Sequence, residues 1–366
     1  MLNRKIFVDN EFVHDPNPRD IAAFLRAEYP EVLNKERETV MESIVAEMIG
    51  TRQIRLGGRP TPESEVAMRD VARRCIEVGH PIPVLVVAGP KKPLRNESID
   101  LAELSALKML ACLNARVMTY YPPGITANIR LEDATGYYLE EGTDGLHESI
   151  EKYIGDLSTL IKILGYDFIK PVREQTLVKP ETLRQAAETL HPLFVDYLTD
   201  SDPLPEDQWG NLGSLKELSK HGWKGLITRD ARRYYLERYR RLVPGYDEKQ
   251  GILMMAKYFA VTLARYQLKA TGVENSWPGF FQINFAPPIP DTPKSLTSTR
   301  IYYRTVPLKH TDRHMPFWRA KGYLRLNGET KISLASWNEP LEYKKLAITF
   351  TDGMDSVRVQ SDYLEV

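Results

Sequence analysis

The chain has 366 residues, 42% hydrophobic and 27% charged, with 49 Lys+Arg against 49 Asp+Glu. That length builds a core without staples, and zero net charge argues against bulk electrostatic binding of nucleic acid. Its two cysteines, Cys75 and Cys112, do not suit a disulfide framework or a cysteine-built zinc site.

The N-terminal segment MLNRKIFVDNEFVHD has no apolar run of signal-peptide length. No stretch reaches the roughly 20 apolar residues of a membrane span. The expectation is a soluble, cytoplasmic protein with no membrane partner.

The first 80 residues read as helical. Asp20 to Tyr29 is a short amphipathic piece stopped by Pro30, and Glu36 to Ile49 is a second one ended by Gly50. Residues 51–62 read as an Arg/Gly/Pro loop. A helix then runs from Pro62 to Gly79, with proline at its entry and glycine at its exit.

Ile82–Ala88 (IPVLVVA) is a short apolar run, as expected of a strand buried on both faces. The polar turn Gly89–Asn96 follows. Leu101, Leu104, Leu107, Leu110, Leu113 and Val117 then recur near a 3.6-residue period, which predicts a helix. Tyr121-Pro122-Pro123-Gly124 stops it. Ile125–Leu131 alternates and reads as a strand. After a turn at 132–136, a second helix repeats Leu146, Ile150, Ile154, Leu157, Ile161 and Leu164 and stops at Gly165. Tyr166–Lys170 reads as a third strand. Alternating strands and helices predict an α/β fold: a Rossmann-like parallel sheet with helical crossovers.

Residues 180–271 read as mostly helical, broken by a Pro- and Asp-rich loop at 200–213. From Phe280 the pattern is strands: FFQINF, RIYYRTV, KGYLRLN, KISLASW and LAITFT, with Asn327-Gly328 as a hairpin signal. The expected organisation is a helical N-terminal region (1–80), an α/β core with a helical insertion (81–279) and a β-rich C-terminal portion (280–366), packed as one globular unit.

Chemistry-bearing residues cluster in four places. The turn Gly89–Asn96 follows a buried strand and precedes a helix, where open α/β sheets bind ligands and helix N-termini favour anions. Lys91, Lys92 and Arg95 add positive charge there. Two readings are open, a phosphate or carboxylate site and a solvated basic loop. The spacing matches neither a P-loop nor a dinucleotide fingerprint. A second cluster holds Arg300, Arg304, Lys309, His310, Arg313, His314 and Arg319. An anion-binding loop, or His310 or His314 as a proton carrier, suits it better than a metal pair, and a charged surface loop is the alternative. Third, Arg229–Val243 interleaves arginine with tyrosine, a pattern that grips RNA or simply covers a helix face. Fourth, Glu132 and Asp133 stand just past a predicted strand. They suit proton transfer or an ammonium contact, and equally an ordinary polar turn. The cysteines read as buried and structural.

The order of features at 80–170 resembles the pyoverdine/dityrosine biosynthesis family, which includes isocyanide synthases. The matching features are Ile82–Ala88, Lys91-Lys92-Pro93, Asp100-Leu101-Ala102-Glu103, Tyr120-Tyr121-Pro122-Pro123-Gly124, Ile125–Leu131 and Glu132-Asp133. The resemblance continues more loosely through the helix ending near Arg265-Tyr266, the strands at 280–286 and 300–306, and Met315-Pro316-Phe317-Trp318. Lys92 and Leu94 stand where the family has Ser and Asn. Phe285-Ala286-Pro287 and Trp318-Arg319 stand near the places of two family histidines.

The resemblance implies a metal-independent enzyme with no cofactor. Such an enzyme joins an amino acid's amine to the ketone of ribulose 5-phosphate, its co-substrate, and leaves the nitrogen bearing one carbon as an isocyanide. A downstream iron/2-oxoglutarate oxygenase would act in the same specialised-metabolite pathway. By this resemblance Lys91, Asp133 and His310 are catalytic. Lys91, Lys92 and Arg95 hold the phosphate, Arg300 and Arg304 take the amino-acid carboxylate, and His314 binds substrate. The alternatives are another carbon–nitrogen bond-forming enzyme on the same fold, a nucleic-acid binder using residues 229–243, and a non-catalytic scaffold.

Overall fold

The computed structural model describes residues 5–9, 39–50, 60–88, 99–139, 145–199, part of 253–268, 279–284, 300–302, 321–326, 330–335 and 344–365. The expected helix Asp20–Tyr29, most of the loop at 51–62, the turn Gly89–Asn96, residues 200–252 and residues 303–320 lie outside them.

In the N-terminal region β1 (Lys5–Asp9) precedes α1 (Val40–Ile49) and α2 (Pro62–Val78). β1 is a strand within a stretch that reads as helical. α1 starts four residues later than Glu36, because Thr39 is extended and its hydroxyl accepts from the Glu42 amide at 3.2 Å, an N-cap. α2 has the predicted limits. Thr61 accepts from the Ser64 amide, Pro62 opens the helix, and Gly79 closes it in the left-handed region at φ 68°.

The parallel sheet holds β2 (Ile82–Ala88), β3 (Ile125–Leu131), β4 (Ile169–Arg173), β5 (Phe281–Asn284) and β6 (Arg300–Tyr302), in the order β4-β3-β2-β5-β6. Helix α3 (Leu101–Tyr120) links β2 to β3. α4 (Asp133–Leu139) and α5 (Leu146–Leu164) link β3 to β4. The α/β fold expected from the sequence is therefore present. The chain winds outward from β2 to β4 and then returns to the other side of β2, so a topological switch point lies between β2 and β5.

Two local expectations differ from the structure. The 132–136 turn is the start of α4, where the Gly136 amide bonds to the Glu132 carbonyl. β4 runs Ile169–Arg173 rather than 166–170. Gly165 ends α5 in the left-handed region, and the Ile169 amide closes a turn on the Tyr166 carbonyl, so 166–168 are spent reversing the chain.

The second sheet has the order β1-β9-β10-β7-β8, with β7 (Lys321–Leu326), β8 (Thr330–Ala335), β9 (Lys344–Asp352) and β10 (Asp355–Glu365). β7 and β8 pair antiparallel across the three residues that include Asn327-Gly328, as the hairpin signal predicts. β10, at 11 residues the longest strand described, was not evident in the sequence. It turns back from β9 through Gly353 at φ 60°.

α3 and α5 pack between the two sheets. Ile348, Phe350, Val357 and Val359 of the second sheet share one buried cluster with Val84, Ile129 and Ile283 of the first. Among the described residues no helix is long and apolar enough to cross a membrane.

Candidate functional site

The two faces of the parallel sheet differ in chemistry. Side chains alternate along a strand, and residues in register on neighbouring strands share a face. One face carries Ala127 and Ile129 of β3, Val84 and Val86 of β2, and Phe281 and Ile283 of β5, all inside the main core. The other face carries Asn128 and Arg130 of β3 and Gln282 of β5, each at most 5% exposed, with Leu85 between.

That polar face ends in carboxylates at the C-terminal ends of β3 and β4. Glu132 follows β3, and Glu174 follows β4 in a single 3-10 turn. Arg265 reaches both, with Nη2 2.7 Å from Glu132 Oε1 and Nε 2.5 Å from Glu174 Oε1. Arg130 stands 3.5 Å from the same Glu132 oxygen. The Thr135 amide donates to Glu174 Oε2 at 2.9 Å. Burial pushes the Glu174 carboxyl upward from its ordinary range, and Arg265 opposes that shift. Ala256, Ala260, Ala264 and Arg265 are helical and buried. Phe259 pairs with Phe194 of α6 (Pro180–Thr199), and Lys257 lies over the Tyr138 ring of α4. This helical stretch therefore meets the sheet at the polar end.

A second network adjoins the first. Asp133 heads α4 and has no exposed surface. Its Oδ2 accepts from Arg173 Nε at 2.7 Å, and its Oδ1 accepts from the Gln175 amide at 3.2 Å. Arg173 turns its other two nitrogens to Glu151 of α5, at 2.9 and 2.5 Å. Tyr137 donates to Glu151 at 2.8 Å. The paired guanidinium, then the tyrosine, hold the Glu151 carboxyl below its ordinary range. Burial, reinforced by Glu151, pushes the Tyr137 hydroxyl up. Asp133 thus has both oxygens engaged and pins α4 against β4.

The Asp100–Glu103 motif has a structural role. Asp100 immediately precedes α3, and its amide donates to Glu103 Oε2 at 2.8 Å, which is half of a capping box. Tyr153 of α5 donates to the other Glu103 oxygen at 3.0 Å, so the cap also ties two crossover helices together inside the core.

Of the residues singled out by sequence, Glu132 and Asp133 meet at the strand ends, joined to different arginines. Arg300 opens β6, its backbone in register with Gln282. Lys91, Lys92, Arg95, Arg304, His310 and His314 lie outside the described residues. The Arg229–Val243 stretch does too. Ala88 is the last residue of β2, so the chain enters the lysine turn from the switch-point strand.

Arg173, Glu174 and Glu151 escaped sequence reasoning, and Arg265 entered it only as the end of a helix in the family resemblance. The first two carry the same strand-end signal as Glu132-Asp133, hidden by placing β4 three residues early. Both cysteines are half-buried and free, and burial raises the Cys75 thiol. Among the described residues no set of His, Cys, Asp and Glu groups into a metal site.

No family model matches the chain, and no curated protein matches it in sequence. Among solved structures, the fold is similar to that of the PvcA protein from Pseudomonas aeruginosa. The TM-score is 0.57 at 18% identity, over 89% of this chain and 100% of that one. At that identity, what the two chains share is the architecture of the fold.

Proposed function

We infer that this protein is an isocyanide synthase-like enzyme of specialised metabolism, joining the amine of an amino acid to the ketone of a phosphorylated ketose such as ribulose 5-phosphate. The observation that carries the reading is topological. The strand leading into the lysine turn is the central strand of a five-stranded parallel sheet, at the point where its winding reverses. The described features behind the family resemblance, Ile82–Ala88, Asp100–Glu103, Tyr120–Gly124, Ile125–Leu131 and Glu132-Asp133, fall within that sheet and its crossovers. The fold shared with PvcA supports the same reading.

In this reading Lys91, Lys92 and Arg95 meet the sugar phosphate, where charge-assisted contacts are strong. Arg300, Arg304 and His314 take the amino-acid carboxylate. Lys91 and His310 move protons as imine and enol forms interconvert. Asp133 keeps a positioning role, because both its oxygens are already taken.

The test is direct. Purified protein is mixed with ribulose 5-phosphate and the twenty amino acids in turn, and products are read by mass. Consumption of one amino acid with formation of its isocyanide, or the formamide from its hydration, is expected. No consumption of any of them overturns the reading.

A further inference from the structure

Parallel sheets covered by helices on both sides are ordinarily apolar on both sides. This sheet obeys that rule on one face only. On the other, register places Lys170, Asn128, Leu85 and Gln282 in one row across β4, β3, β2 and β5, with Arg130 in the next row. Asn128, Arg130 and Gln282 are 3%, 5% and 4% exposed, so the polar groups are in the interior and not at a wet surface.

One of them is incomplete. Nδ2 of Asn128 is buried and has no hydrogen-bond partner among the described residues. A buried amide donor left unmade costs its full desolvation, and an apolar side chain of the same size would avoid that. Polar choices that weaken a wall are kept at functional sites. Asn128 is on the strand next to β2, one strand from the switch point where such sheets bind ligands.

We propose that this face is the floor of a ligand subsite for the hydroxylated carbon chain of the sugar phosphate, with Asn128 Nδ2 donating to a hydroxyl or carbonyl oxygen of the ligand. Gln282 stands two strands away, about 10 Å, a span that an extended five-carbon phosphate ester covers. Arg130 lies 3.5 Å from the Glu132 oxygen that also meets Arg265, which offsets part of its charge, and the amides of Asn128 and Gln282 suit hydroxyl and carbonyl groups. The identity of the ligand rests on the reading of function above; the place of the subsite rests on the sheet.

The experiment is calorimetric titration and thermal unfolding with D-ribulose 5-phosphate, with inorganic phosphate as control, on the wild type and Asn128→Leu. The wild type is expected to bind the sugar phosphate and to melt higher with it. Asn128→Leu is expected to keep or raise its ligand-free Tm while its Kd for the sugar phosphate weakens about tenfold or more. Phosphate binding is expected to be unchanged. Wild-type affinity in Asn128→Leu overturns the proposal, and so does a wild type that does not bind the sugar phosphate.

Should Asn128→Leu fail to fold, the side-chain amide resonance of Asn128 in the wild type decides. A shift on adding sugar phosphate supports the subsite, and an unmoved resonance overturns it. Turnover stays outside these readouts. A protein that binds through Asn128 and forms no isocyanide loses the proposed reaction and keeps the subsite. Isocyanide formation with an unaffected Asn128→Leu Kd does the reverse.

Discussion

Arg173, at the end of β4, holds Asp133, the first residue of α4, through a 2.7 Å contact in which the carboxylate has no exposed surface. The same guanidinium grips Glu151 of α5. One side chain therefore fixes the start of one helix and the flank of another to a strand end. Arg173→Met leaves a buried carboxylate without its counter-ion. The expected loss is about 3 kcal/mol by urea unfolding, the usual scale for removing one partner of a buried pair. Asp133→Asn, which removes the charge and keeps an acceptor for the Gln175 amide, is expected to cost less.

The Glu151 carboxyl, held low by Arg173 and Tyr137, predicts a pH dependence. A carboxyl with a depressed folded pKa contributes stability that is present above its unfolded value of about 4.3 and lost as pH falls through the folded one. Tm is therefore expected to drop as pH falls below about 4.3. In Glu151→Gln that part of the drop is absent, and Tm at neutral pH is lower. A Tm–pH curve identical in both proteins would contradict this.

Lys108 of α3 is 4% exposed, and burial lowers its ammonium to about 8. The unfolded chain then binds more protons than the folded one from about 8 up to about 10.4. Stability is expected to rise with pH across that window. Lys108→Met removes the penalty, with a gain of about 3 kcal/mol at neutral pH and loss of the Lys108 contribution to the rise between pH 8 and pH 10. Unfolding free energies from urea melts at several pH values check both.

Gly124 immediately precedes β3 at φ 65°, and a Cβ there would run into Asn114 Oδ1. That same oxygen accepts the Ile125 amide at 2.8 Å and so sets where the strand begins. Gly124→Ala is expected to cost about 1–3 kcal/mol, combining left-handed strain with the displaced side chain. The loss is read from the urea midpoint at unchanged m-value.

How much of this was legible beforehand varies with the range of the forces. β2, α3, β3 and α5 stand where their periodicity and stop signals put them, because Pro122-Pro123-Gly124 and Gly165 end elements through local backbone geometry. β10 was missed because its mostly polar run, with Val357 and Val359 buried among its described side chains, carries little apolar signal. Its pairing with β9 and β7 supplies the order that its own sequence lacks. α4 was missed because seven residues opening Asp-Ala-Thr-Gly read as a turn, and contacts from Arg173 and Glu174 stabilise it as a helix.

The sequence by itself determined the alternation of strands and helices from β2 to β4 and the position of Glu132 and Asp133 at a strand end, since both follow from spacing within a few turns of chain, whereas the strand order, with β5 and β6 on the far side of β2, came only with the tertiary structure. Tertiary structure decided what those carboxylates do. Arg173 is 40 residues from Asp133, and Glu132 meets Arg265 from a distant helix. Only tertiary structure revealed that Asn128, Arg130 and Gln282 share one buried face. Ion pairs and register join residues that no local period links, because burial strengthens a charge contact wherever in the chain its partner originates.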